Sequence, residues 1–432
     1  MANIIPYVDD STFDLPEQIL EKLDIRYANT SGSYAHNITP ANMSIWKAAL
    51  VAGRGGSGTA RIGVHGGSTP YGSGSGLPYV SPSVPGGPFL YSSWPGRLQR
   101  RGYESGNGGT GYMVPWNAMN DTDTGIKSQP AYKFAGSIED RPLGVYGLGG
   151  KRITKTGTST YIEVSGVTGT VFEMLLANTG ATGTVLVDGS IKGTFAAGIG
   201  VTGVDFPAAS GYAAGQVKVS IPIGPSDGPH TVRFYPNGAD GAQITLLLNS
   251  ATPTGRPGLA VSNLAFSGIT SGQLVLDDTV NGFTGMSVSL DASRSHLQLL
   301  QCMTNDFQTH LSVDTYRNRI DTFIQRAKAS GTAVNGGTMV ASNVILIAGQ
   351  PVNQAEIPAD HILNPPYNDY VNVLYELSST RNVGLIDLNE LFVDYATGAA
   401  RGWYADNLHA SALGSEVISK VVGDLILDPL VY

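Results

Sequence analysis

The chain has 432 residues, a length that suits two to three domains at roughly 100–200 residues each, and its 41% hydrophobic content excludes wholesale disorder. A net charge of −8 with no basic cluster disfavours nucleic acid as the main partner, and no stretch approaches the roughly 20 apolar residues of a membrane helix. The one cysteine, Cys302, rules out an intrachain disulfide and a thiolate metal cage.

In chain order, residues 1–43 read as a lead-in segment for attachment or oligomerisation, with Asp14 capping a short helix over Leu15–Leu23. Its first residues lack the basic and apolar regions of a signal peptide. A helix over Ser44–Ala52, with Trp46, Ala49 and Leu50 on one side, is followed by a strand over Ala60–His65. A Gly-, Ser- and Pro-rich loop and a short helix over Trp94–Arg101 come next. From 146 to 256 the texture becomes β-rich: Thr160–Val164, Val171–Leu176, Thr184–Val187, Val217–Ile221, His230–Tyr235 and Ile244–Leu248 are short strands. Asp188-Gly189 suits a tight hairpin. Regular short strands without helices predict a β-sandwich.

From 257 onward strands and helices alternate. Strands are expected at Leu259–Asn263, Leu297–Met303, Asn343–Ala348 and Val383–Leu388. Helices are expected at Val313–Ser330, Tyr367–Ser378 and Ser411–Ile426. In the first, Tyr316, Ile320, Phe323, Ile324 and Ala327 share a face. The alternation predicts an α/β domain with a parallel sheet. It occupies 44–145 and 257–432, interrupted by the sandwich at 146–256.

Several residues carry chemistry. Asp406 and His409 stand three apart in a turn entering the last helix; such an Asp can orient an imidazole through Nδ1 and leave Nε2 free to take a proton. Ser68 follows the Ala60–His65 strand in Gly66-Gly67-Ser68-Thr69, at the sheet edge where α/β sites form. Asn305, in Met303-Thr304-Asn305-Asp306, and the backbone N–H of Gly268, in Asn263-Leu-Ala-Phe-Ser-Gly268-Ile-Thr270, could each donate to an oxyanion. Gly109, in a Gly-Gly-Thr-Gly run, is a rival for the Gly268 role. Ser226 satisfies G-x-S-x-G, but the β-rich His230–Tyr235 follows where that motif needs a helix. His65 is near Ser68 yet points off the strand in this reading. No His, Cys, Asp and Glu spacing marks a metal site, and no cofactor is expected.

The order Ser68, Gly268, Asn305, then Asp406 with His409 resembles the SGNH hydrolases, also called the GDSL esterase/lipase family. Two positions depart from its pattern: Gly67 stands where Asp is usual, and Met303 where Gly is usual. The resemblance implies a three-layer, flavodoxin-like SGNH domain and a serine esterase. It makes Ser68, His409 and Asp406 the triad, and Ser68 N–H, Gly268 N–H and the Asn305 amide the oxyanion hole. Acyl esters, acetyl among them, on cell-envelope glycans or lipids are the implied substrates, and the sandwich looks like a carbohydrate-binding module. The lead-in, Leu23-Asp-Ile-Arg-Tyr-Ala-Asn-Thr-Ser-Gly-Ser-Tyr, resembles phage tail-fibre and minor tail proteins. That implies a virion tail location, other tail proteins and host envelope glycan or glycolipid as partners, and a homotrimer as a candidate assembly. The alternative is an inactive SGNH-fold adhesin, favoured by Gly67 and Met303.

Overall fold

The computed structural model describes residues 34–55, 57–72, 74, 93–102, 112–113, 132–135, 138–141, 150–153, 158–167, 171–210, 216–224, 230–237, 244–252, 258–265, 268–275, 290, 293–332, 338–353 and 365–427. The expected Leu15–Leu23 helix, the Gly108–Gly111 run and the Ser226 loop lie outside them.

The first elements are β1 (Ala35–His36), α1 (Ser44–Arg54), β2 (Ala60–Gly66), α2 (Ser68–Tyr71), α3 (Trp94–Gly102) and β3 (Tyr112–Met113). Ten strands follow: β4 (Tyr132–Ala135), β5 (Ile138–Arg141), β6 (Gly150–Ile153), β7 (Tyr161–Val167), β8 (Val171–Ala177), β9 (Ala181–Val187), β10 (Ser190–Ala197), β11 (Gln216–Pro222), β12 (His230–Asn237) and β13 (Ile244–Thr252). Then come β14 (Leu259–Asn263), α4 (Ser271–Leu274), β15 (Leu297–Gln301), α5 (Thr304–Gln308), α6 (Val313–Lys328), and the short β16 (Gly331–Thr332) and β17 (Thr338–Met339). The chain continues with β18 (Asn343–Ala348), α7 (Tyr367–Arg381), β19 (Gly384–Asp387), α8 (Leu388–Phe392), α9 (Tyr395–Ala400) and α10 (Ala412–Ile426).

One sheet runs β1-β19-β18-β15-β2-β14-β3. Its neighbours are parallel except at the antiparallel β1–β19 edge. Without the two outermost strands, the order is that of a doubly wound, flavodoxin-type sheet. The chain passes from β2 to β14 on one side, then crosses to β15 on the other. Loops leaving β14 and β15 therefore part at β2, and a crevice opens beyond its carboxyl end.

The period of two along each strand buries both faces. Leu297, Leu299, Ile345, Ile347 and Ile386 belong to a core with Trp46 and Leu50 of α1, Leu98 of α3, and Val417 and Val421 of α10. Their neighbours Leu300, Val344, Leu346 and Leu385 belong to a second core with Ile320 and Phe323 of α6 and with Leu374 and Leu377 of α7. Helices thus cover both sides of the sheet. The buried set of α6 is Tyr316, Ile320, Phe323, Ile324 and Ala327, the face its sequence spacing predicts.

The lead-in does not stay separate to residue 43. β1 pairs with β19, Asn37 Nδ2 donates to the Ser378 carbonyl at 2.8 Å, and Met43 is buried. Two five-stranded antiparallel sheets, β10-β9-β12-β7-β4 and β11-β8-β13-β6-β5, lie in sequence between β3 and β14. They begin at Tyr132, ahead of the expected boundary at 146, because β4 and β5 pair with β7 and β6. Val232 and Phe234 from one sheet and Val217, Val219 and Ile221 from the other share one buried cluster. The β9–β10 turn places Asp188 at φ 51° and Gly189 at φ 80°, the left-handed pair a tight hairpin needs. Among the described residues no helix is long and apolar enough to cross a membrane.

His65 of β2 is 1% exposed, with its Nε2 2.9 Å from Gln298 Oε1 and its ring edge-on to Phe323. It is a core group facing α6. Burial lowers its pKa to about 4, against the opposing Gln298 hydrogen bond. The neutral ring is therefore favoured by folding, and the unfolded chain binds the extra proton between about pH 4 and 6.5. Stability should fall by roughly 3 kcal/mol as pH drops through that window. Chemical unfolding of wild type and His65→Met across pH 4–7 checks this. A slope unchanged in the variant would show that other groups cause it.

Candidate active site

The turn after β2 depends on Gly66. Its φ is +147°, and a Cβ there would lie 2.0 Å from the Gln301 carbonyl oxygen. Only glycine lets the ends of β2 and β15 run this close. The Gly67 N–H donates to the same oxygen at 3.2 Å, and Ser68 then opens the short helix α2. Asn263, at the end of β14, holds the turn from the other side by donating Nδ2 to the Pro70 carbonyl at 2.8 Å.

The loop before α10 is pinned locally. The Ala405 N–H donates to the His409 carbonyl at 2.9 Å. Asp406 Oδ1 accepts the N–H groups of Leu408 and His409 at 2.8 and 2.7 Å. Ser411 caps α10 by accepting the Gly414 N–H at 3.1 Å. The loop also packs against the chain beyond α2, where a Cβ on Gly74 would lie 2.6 Å from His409 Cβ.

These two turns bring three residues into line across 341 positions of sequence. Ser68 Oγ lies 2.8 Å from His409 Nε2. His409 Nδ1 lies 2.7 Å from Asp406 Oδ2. The His409 side chain is 23% exposed and that of Asp406 53%, so the line runs from a half-closed serine to solvent. Burial pushes the Asp406 carboxyl up, but the His409 hydrogen bond, the two backbone N–H groups and the His409 charge outweigh it and hold its pKa below the usual value. The carboxylate stays ionised beside the imidazole.

A small open cleft of about 20 Å³ adjoins Ser68, lined in part by Gly67, Thr69, Ile269, Met303 and Asn305. Asn305 opens toward it from α5 and donates Nδ2 to the Ile269 carbonyl at 2.8 Å. A Cβ on Gly67 would sit 3.0 Å from that Nδ2, so the glycine at this position gives the Asn305 amide its room. Gly268 is exposed, with φ +77°, and the next residue, Ile269, lines the cleft. Asp306 joins the two donor loops. Its carboxylate accepts the Ser271 N–H at 2.9 Å and the Ser271 hydroxyl at 2.7 Å, although burial pushes its pKa up.

Sequence reasoning missed Asp306, Gln301 and Gln350 as parts of this region. Their one sequence signal is a polar residue at or soon after the end of a buried strand, which marks loops as readily as sites. Among the described residues, no group of three or more His, Cys, Asp or Glu could hold a metal ion.

Residues 220–417 match the GDSL-like lipase/acylhydrolase family. This segment holds Gly268, Asn305, Asp406 and His409; Ser68 reaches the same place from outside it, through β2. No curated protein matches the sequence. Among solved structures, a peptidoglycan O-acetylesterase is 14% identical with a TM-score of 0.62, covering 91% of this chain and 97% of its own. That coverage reaches into the antiparallel sheets as well as the parallel one, and it shows the fold. A family two carbohydrate esterase from Clostridium thermocellum is 12% identical over 69% of this chain and 98% of its own, with a TM-score of 0.28. A carbohydrate acetylesterase from Sinorhizobium meliloti is 15% identical over 38% and 77%, with a TM-score of 0.29. The family match lies across the second half of the parallel sheet and the loops that meet Ser68; over that segment the chain is similar to the GDSL-like acylhydrolases, and the protein is a carboxylic ester hydrolase of that type.

Proposed function

We propose that this protein removes small acyl groups, acetyl foremost, from cell-envelope glycans by a Ser68–His409–Asp406 mechanism. The observation that carries it is the contact between Ser68 Oγ and His409 Nε2 at 2.8 Å, backed by Asp406 on Nδ1 at 2.7 Å, at the mouth of a small cleft. His409 Nε2 takes the Ser68 proton as Oγ attacks the ester carbonyl carbon. The new C–O bond makes a tetrahedral oxyanion, which the Ser68 N–H and Asn305 amide stabilise, with Gly268 N–H as a third donor. Collapse expels the glycan alkoxide, which takes the proton from His409, and leaves an acyl-Ser68. Water, deprotonated by His409, then releases the acid. Asp406 holds the ring and balances its transient positive charge. The fold shared with a peptidoglycan O-acetylesterase supports the glycan class.

In the same reading, residues 132–252 form a glycan-binding insertion. Arg233 and Tyr235 alternate with the buried Val232 and Phe234 of β12, and the Arg233 guanidinium lies 4.2 Å over the Tyr161 ring. That face offers the rings and hydrogen-bonding groups on which sugars dock. A virion tail location rests on the lead-in resemblance alone; peptide mass spectrometry of purified particles would reveal or exclude the chain.

The test uses O-acetylated peptidoglycan and a short chromogenic acetate ester. Wild type should release acetate from both. A variant with 132–252 replaced by a short Gly/Ser linker should keep the small-ester rate within about threefold and lose about tenfold on polymer. Wild-type hydrolysis of the small ester with no acetate from any acetylated glycan would remove the glycan assignment. Loss of both activities in a folded deletion variant would show that the antiparallel sheets build the cleft.

A further inference from the structure

Behind the cleft, beyond the carboxyl ends of the parallel strands, four elements are tied together by side-chain amides. Trp94 Nε1 donates to Gln301 Oε1 at 3.0 Å. Gln301 Nε2 donates to Gln350 Oε1 at 3.2 Å. Gln350 Nε2 donates to the Leu408 carbonyl at 2.7 Å and to Thr69 Oγ1 at 3.0 Å. The backbone of Gln350 is held as well, its carbonyl accepting the Tyr367 hydroxyl at 2.9 Å. Gln350 is 2% exposed and Gln301 6% exposed.

The direction of this chain is fixed at both ends. An indole N–H can only donate, so Gln301 must turn its oxygen toward Trp94 and its NH₂ toward Gln350. Gln350 must then offer its oxygen to Gln301 and its NH₂ to the other side. The Leu408 carbonyl, which can only accept, meets that NH₂. Neither amide can flip without leaving buried donors facing donors.

The two endpoints of Gln350 Nε2 are each one residue from a reacting group: Thr69 follows Ser68, and Leu408 precedes His409. We propose that Gln350 is a positioning residue that sets the distance between Ser68 Oγ and His409 Nε2. Asp406 fixes the His409 ring within its own loop, but that loop and the β2 turn are separate pieces of chain. The Gln350 amide bridges them with two hydrogen bonds from one nitrogen, and the Trp94–Gln301 pair keeps that nitrogen turned the right way. The inference rests on the Ser68–His409 mechanism proposed above.

Gln350→Met keeps length and burial but removes both donors; Gln350→Glu keeps shape and sets a carboxylate against the Leu408 carbonyl. Both should lower kcat on a small acetate ester by about 10–100-fold, since a displacement near 1 Å costs about 10² in rate, and leave KM within about threefold. Labelling of Ser68 by a serine-reactive phosphonate should slow by a similar factor, because it reads nucleophile activation without glycan binding. Thermal unfolding shows how much of each variant is folded. A folded variant with wild-type kcat and labelling rate overturns the proposal, as does a change confined to KM. If neither variant folds, the amide chain serves folding and the positioning role is abandoned. Wild type and Ser68→Ala run beside them: full activity in Ser68→Ala would overturn the mechanism itself, a result distinct from any of these.

Discussion

Ser68→Ala should lower ester turnover by about 10⁴–10⁶ while leaving the protein folded. The substitution removes one hydroxyl whose partner in the structure is His409 Nε2. The β2 turn does not need that hydroxyl: its backbone is held by Gly67 N–H on Gln301, by Asn263 on Pro70, and by the close approach at Gly66. A thermal midpoint within a few degrees of wild type is therefore expected. Residual hydrolysis would come from the oxyanion donors acting on bound ester and water. Steady-state rates on a chromogenic acetate ester, normalised to folded protein, measure the loss. Turnover within tenfold of wild type would remove Ser68 as the nucleophile.

Asp406→Asn should cost about 10⁴ in kcat, although its geometry barely changes. The side-chain oxygen of the new amide could still accept the Leu408 and His409 N–H groups, so the loop should keep its shape. The amide NH₂ would then face His409 Nδ1 and donate to it. That forces the imidazole proton onto Nε2, where it points at Ser68 Oγ and cannot receive the serine proton. Asp406 has its pKa held below the usual carboxylate value, so in wild type the carboxylate stays ionised through the mildly acidic range and continues to face His409 Nδ1 as an acceptor. The kcat of Asp406→Asn at several pH values, compared with wild type, is the measurement. A loss below about tenfold would show that Asp406 serves the loop and not the imidazole.

Much of the parallel domain was legible because its signals are local and strong. Val344–Ala348 is an unbroken apolar run, buried together with Asn343 ahead of it, and the α6 face follows from spacing alone. The places of Ser68, Asn305, Asp406 and His409 were legible because Ser68 and Asn305 stand in short helices just past buried strands, and Asp406 and His409 stand in the loop that enters α10. Strands β4 and β5 were not, since Ile138-Glu-Asp-Arg141 has no apolar alternation and takes its place only by pairing with β6. β1 is two residues long and exists because Asn37 and the β19 edge receive it. Gly67, a departure from the family pattern, becomes intelligible only when its neighbour is known: a side chain there would press on the Asn305 amide. Gln350 could not be read in advance, because its partners Thr69, Gln301 and Leu408 are brought to it by the whole fold.

Ser68 should carry the acyl group during turnover. Wild type reacted with a serine-reactive phosphonate, digested and mapped by mass spectrometry tests it directly. A single adduct is expected, on the peptide containing Ser68, forming in step with loss of ester hydrolysis and slowed by orders of magnitude in His409→Ala. An adduct on another residue that tracks the loss of activity, or full activity in protein stoichiometrically modified at Ser68, would contradict it.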